Sequence, residues 1–196
     1  LTVSSGGLIT LGSVTTSGTQ QYNNSVSVGG TYNTGGGNFS VTGATGVASG
    51  STITTGAGNV MLSGAVNGPG ALTINSSGAT TFGSTIGQTT ALASISTDIA
   101  GSTSLGGNVR TTGAISFRDP TNAAGQTLAS VNNGAIRINI PAAGSSPATI
   151  DTSGNVTLDG PQHGSNGGEI DFTKTPNSLV LTQLSDSFFT GPAIPA

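Results

Sequence analysis

The chain has 196 residues, of which 6% are charged, with a formal net charge of −3 and an isoelectric point near 4.5. Four Lys and Arg residues exclude the basic patches that a nucleic-acid partner requires, and the absence of cysteine excludes disulfide staples and thiolate metal sites. No apolar run approaches the roughly 18–20 residues needed to cross a bilayer as a helix, so no membrane insertion is expected.

Glycine accounts for 33 residues, aromatics for 4%, and tryptophan is absent. Charge-driven disorder is excluded by the small net charge. A conventional core of large side chains is excluded by their scarcity. The fold must bury small apolar residues in a regular way. The first residue is Leu1 rather than Met, which suggests a processed chain or an excised segment of a longer one.

In chain order, the first element is "TTSGTQQYNN" (15–24), echoed later by "TTGAISFRD" (111–119), with Tyr22 over Phe117. Next comes "TYNTGGGNFSVTG" (31–43), then "TITTGAGNVMLSG" (52–64). Looser copies follow, "GATTFG" ending at Gly83 and "GSTSLG" ending at Gly106, and "TIDTSGNVTLDG" (149–160) repeats the phrase once more. Each copy alternates apolar and polar residues and stops at glycine, which is the period of a strand followed by a turn.

The spacing sets the architecture. Ile53, Ile74 and Ile95 recur every 21 residues; Leu62, Phe82 and Leu105 follow at 20 and 23, as do Val66, Ile86 and Val109. Three apolar columns therefore advance together. That period predicts an all-β, right-handed parallel β-solenoid (β-helix) with coils of about 20–23 residues, stacked roughly 4.8 Å apart. Gly, Asn, Asp and Ser would turn the corners, and outward Thr and Ser would hydrate the walls. Eight or nine coils would make a rod on the order of 40 Å long. An antiparallel sandwich also accommodates short strands and frequent turns, but gives no reason for columns in step. Helix is disfavoured by Gly, Thr, Ser and Asn throughout.

Residues 54–117 contain the form "G-x-V-x-L-x-G-x-V-x-G-x-x-x-L-x-V", from Gly58 to Ile74 and again more loosely to Ile95. This resembles the repeats of large bacterial surface exoproteins related to filamentous haemagglutinin, over about residues 1–160. The resemblance implies a secreted β-helical protein, often exported by a two-partner route, whose long fibres mediate adhesion or cell–cell contact.

Residues with chemical potential are few. His163 lies in "PQHGSNGGEID" close to Ser165 and Asp171, but three side chains of one loop seldom converge on an oxyanion hole, and a loop interrupting one wall is expected. The acids of "GGEID" (167–171) and "SFRDP" (116–120) lack the repeating pattern of a calcium roll, and Arg118 with Asp119 reads as a local turn pair. "NTGGGN" (33–38) lacks the Lys-[Ser/Thr] ending of a phosphate loop and reads as a plain turn. The sequons at Asn23, Asn38, Asn75 and Asn155 are expected by chance in this composition.

Thr52, Thr54, Thr55, Thr80 and Thr81 do not form one fixed Thr-x-Thr per coil, which disfavours ice binding. Sugar-stacking platforms reduce to Tyr22 and Tyr32. No catalytic, cofactor or metal residue is assigned, and no cofactor or enzymatic activity is expected.

The solenoid is expected over 1–172. Residues 173–196 are expected to form a C-terminal cap or inter-subunit contact, with Leu179, Leu181, Leu184, Phe188 and Phe189 as its contact residues. The expected role is a structural or adhesive rod or fibre, secreted or at the bacterial cell surface, of the kind found in adhesins and biofilms. Its partners would be further copies of itself, or the continuation of a longer chain, and host or cell-surface glycans. The alternative is a carbohydrate-binding or carbohydrate-active β-helix.

Overall fold

A computed structural model describes residues 1–123, 125–139, 148–152, 154–159, 170–172, 174–181 and 189–190. It is a parallel β-solenoid: among the described residues there is no helix, and every pair of strands runs parallel. Three walls, A, B and C, recur in that order along the chain.

The first coil is β1 (Thr2–Val3), β2 (Ile9–Leu11) and β3 (Val14–Thr15); the second is β4 (Gln20–Tyr22), β5 (Val26–Val28) and β6 (Thr31–Asn33). The third is β7 (Phe39–Val41), β8 (Thr45–Val47) and β9 (Ser51–Gly56), and the fourth β10 (Val60–Leu62), β11 (Val66–Asn67) and β12 (Leu72–Ser76). The fifth has β13 (Ala79–Phe82) in wall A and β14 (Ile95–Thr97) in wall C, with only a bridge at Ile86 in wall B.

The sixth is β15 (Ser102–Leu105), β16 (Val109–Thr111) and β17 (Ile115–Asn122). The end of β17 supplies wall A of the seventh coil, completed by β18 (Thr127–Ser130) and β19 (Ile136–Asn139). Walls B and C then continue through β20 (Ala148–Asp151), β21 (Asn155–Asp159), β22 (Ile170–Phe172), β23 (Ser178–Leu181) and β24 (Phe189–Thr190).

Alternation along each strand sends every second residue inward, and register stacks like on like. In wall A, Leu62 pairs with Phe82 and Phe82 with Leu105. In wall B, Val66 meets Ile86 and Ile86 meets Val109. In wall C, Ile53 pairs with Ile74, but Ile74 then pairs with Thr97, and Ile95 belongs to the neighbouring column between Leu72 and Ile115. The 21-residue step to Ile95 is therefore not the register; coil five is two residues longer there. A slip of two preserves which face points inward, so Ile95 is buried all the same. All nine of these residues lie in the core.

Two other expectations are corrected. Tyr22 lies in wall A, where it pairs with Val41, whereas Phe117 lies in wall C, where it pairs with Ile138. Their matching flanks reflect similar corners on different walls. The phrase at 52–64 likewise turns from wall C to wall A, while 149–160 turns from wall B to wall C.

What recurs is the chemistry of a corner. Thr55 Oγ1 donates to Gly58 O at 2.6 Å, and Thr34 Oγ1 donates likewise to Gly37 O. At the other corner, Thr152 Oγ1 donates to Gly134 O at 2.9 Å and accepts from Gly154 N–H at 3.0 Å. Glycine is required because successive backbones touch there. A Cβ at Gly58 would lie 2.0 Å from Gly37 O, and one at Gly154 would lie 2.2 Å from Asn133 O. Asparagine follows the glycine because it hooks coil to coil. Asn38 Oδ1 accepts from Asn59 N–H, and Asn59 Oδ1 from Ala79 N–H, both at 2.8 Å.

Candidate functional site

Besides coil five, which has only bridges in wall B, two places depart from the regular stack: the first coil, and the corner between walls C and A at coil six. Among the described residues the first coil has a neighbouring coil on one side. Val3, Ile9, Leu11 and Val14, which head the inward columns, are half-buried, and Leu1 and Leu8 are 54% and 65% exposed. The outer edges of β1, β2 and β3 have no strand beside them among the described residues. The second coil closes the core beneath them. Tyr22 and Tyr32 each lie against Phe39, with ring centroids 5.5 and 5.7 Å apart. Gln20 is fully buried with them; its amide donates to Val14 O and Asn33 O, and its Oε1 accepts from Tyr22 OH. Tyr32 OH donates to Leu11 O and accepts from Gly29 N–H, each at 3.0 Å. Burial, and then the neighbouring Tyr32, push the Tyr22 hydroxyl up to about 12; burial raises Tyr32 also.

At coil six, β17 runs through the corner without a turn, so the Gly-Asn device is missing. Asp119 points inward in its place and is 1% exposed. Thr97 Oγ1 donates to its Oδ1 at 2.6 Å and Thr103 Oγ1 to its Oδ2 at 2.7 Å. Thr121 Oγ1 donates to its backbone carbonyl at 2.8 Å. Burial raises the carboxyl above its ordinary value, the two threonine hydroxyls offset part of that, and Asp98 adds to it. Arg118 and Asp119 are therefore no turn pair. They lie within one strand, where alternation exposes Arg118 and buries Asp119.

The remaining expected features scatter. His163, Ser165, Leu184 and Phe188 lie outside the described residues. Asp171 is in β22, paired with Thr149 and Thr190. Leu179 and Leu181 are in β23, paired with Val156 and Leu158, and Phe189 is in β24, paired with Ile170. In its described parts, the segment 173–196 thus prolongs walls B and C. "NTGGGN" (33–38) is the turn between β6 and β7, with Gly35 and Gly36 at φ of 60° and 102°. Tyr22 and Tyr32 are fully buried and offer no ring to a sugar. No group of three His, Cys, Asp or Glu comes together among the described residues.

The register also shows a column that spacing alone obscured. Thr31, Thr52, Thr73, Ser96 and Ser116 succeed one another on the outside of wall C, flanked by Thr15, Asn33, Thr54 and Asn75. This part of the wall carries no charge. All eleven charged side chains of the chain fall at Asp98 or later, a signal visible in the sequence once it is divided there. Beyond it, Asp151 and Lys174 form a largely solvated pair at 2.8 Å, with Lys174 exposed and Asp151 half-buried, the kind of contact worth little to stability. No family model, curated protein or solved structure matches the chain.

Proposed function

We propose that the chain is a structural or adhesive rod of the bacterial cell surface, whose stack further copies, or the continuation of a longer chain, extend by the same parallel pairing. The observation that carries this reading is the continuous parallel stack of coils around one apolar core. The columns headed by Val3, Ile9, Leu11 and Val14 offer a further coil the same apolar residues and strand edges that each coil of the stack offers the next. Every other junction of the stack is made in that way, so a second copy adds to the rod by the same pairing. The resemblance to filamentous-haemagglutinin-like repeats supports a secreted, fibrous setting. Among the described side chains the aromatic rings of Tyr22, Tyr32, Phe39, Phe82 and Phe117 are all buried, which gives a glycan-binding wall no aromatic platform there.

Sedimentation and negative-stain microscopy of the purified chain over a concentration series test the proposal. Rods that lengthen with concentration are expected. The double substitution Leu8→Lys and Thr10→Lys, which places charge on the free edge, should hold the particles at single-subunit length. Wild-type particles that stay one subunit long at every concentration would remove end-to-end association from the reading.

A further inference from the structure

We infer that Asp119 is an acid-responsive latch between coils five and six, one whose protonation inside the folded chain strengthens the junction. Three observations meet there. The carboxylate is buried almost completely. Its two oxygens accept from hydroxyls at opposite sides of the corner, Thr97 at the end of wall C and Thr103 in wall A. Thr97 Oγ1 in turn accepts from Arg118 N–H at 3.3 Å, which fixes its own proton toward Asp119.

The charged groups on the packed elements are Asp98 just after β14, Arg118 on β17 itself, and Arg137 on β19; β15 carries none. Both arginines are exposed, and neither forms an ion pair with Asp119. Two neutral donors offset only part of the cost of holding a charge out of water.

The sign follows from linkage. Burial raises Asp119 in the folded chain above its value in the unfolded chain. The folded state therefore binds the proton more readily. Its contribution to stability is complete below the unfolded value and is lost as pH rises through the folded value. Acidification from neutral pH should favour the folded solenoid by up to about tenfold in equilibrium constant per pH unit across that window.

The test compares denaturation midpoints of the full chain between neutral and acid pH with those of Asp119→Asn. The amide keeps the shape, accepts one threonine proton and carries no charge. The other acids titrate equally in both proteins, so the difference isolates Asp119. The variant should be the more stable at neutral pH, and its advantage should shrink as the wild type is acidified. Equal pH slopes would overturn the inference. If the variant does not fold, the carbon-13 shift of the Asp119 carboxyl read against pH decides. Titration above that of an unfolded reference peptide supports the latch, and titration at or below it overturns the latch. Thr103→Val supplies a readout that a merely structural contact would not give. Loss of one donor should move the carboxyl's titration to still higher pH, and a midpoint that moves down or stays put counts against the proposal.

Discussion

After wall C of coils two and three the corner leading to wall A is made of threonine, glycine and asparagine; at coil six the same corner is made around a carboxylate. The early solution is neutral and local. Thr34 and Thr55 close their own turns, and Asn38 and Asn59 each reach the next coil. The later solution has no turn to close, because β17 continues through the corner, so the polar group that satisfies Thr97 and Thr103 must come from inside. The difference extends to the walls. Before Asp98 there is no charged side chain, and the only ionisable side chains are two buried tyrosines. After it, all the charges appear. A parallel solenoid thus fixes its backbone geometry but leaves the chemistry of its corners open.

A stack of this kind has stability distributed along its axis, so damage should stay near its origin. Phe39 joins the two tyrosines beneath the open first coil. Phe39→Ala should cost about 3–5 kcal/mol, the usual range for an aromatic removed from a packed core. Hydrogen exchange should show the loss in coils one to three, while amides of β18 and β19 keep their protection. Uniform loss of protection along the whole chain would erase the distinction between the two regions.

The regions should also answer to opposite ends of the pH scale. Tyr22 stands at about 12 in the folded chain against an ordinary 10. Its contribution is fully present below the unfolded value and is lost as pH rises toward 12. About 2–3 kcal/mol is at stake, and the first coils should open first. Tyrosinate absorbance followed alongside amide exchange would check this. Ionisation of both tyrosines at the ordinary value would show that the aromatic core is open to water.

Much of this arrangement was legible in the sequence. The near-20 period gave the parallel stack, because inward side chains must repeat once per coil. It gave the columns of Leu62, Phe82 and Leu105 and of Val66, Ile86 and Val109 in register. It misplaced Ile95, because a coil lengthened by two residues keeps its inward parity and so leaves the apolar pattern intact. It likewise set Tyr22 over Phe117, since corners on different walls use the same residues. Asp119 was hidden for a different reason. A lone acid beside an arginine looks like a solvated pair, and only the continuity of β17 through the corner turns it inward.

Gly58→Ala tests whether the neutral corner is as tightly built as its register implies. The added methyl would meet Gly37 O, which is backbone and has little room to yield. A loss of about 1–3 kcal/mol is expected, as for overpacking elsewhere. The same change at Gly50, where nothing lies within 4 Å, serves as the control and should be close to neutral. Similar losses at both positions would mean that the phrase repeats for reasons other than contact between coils.

The smallest effect should be a gain. Thr45 stands in the inward column of wall B between Val26 and Val66, and its hydroxyl is the one buried side-chain oxygen without a hydrogen bond among the described residues. Thr80, Thr97 and Thr103 are buried too, but they lie toward the polar corner, where Asp119 draws two of the three hydroxyls. Thr45 has no such neighbour. Thr45→Val keeps the shape, removes an unsatisfied group from an apolar column and should stabilise the chain by about 1 kcal/mol. Thr103→Val, the same replacement in the later coils, should destabilise it at neutral pH by withdrawing a donor from a buried charge. Opposite signs for one chemical change would show that the two regions bury hydroxyls for different reasons; a loss at both sites would mean that the Thr45 hydroxyl has a partner after all.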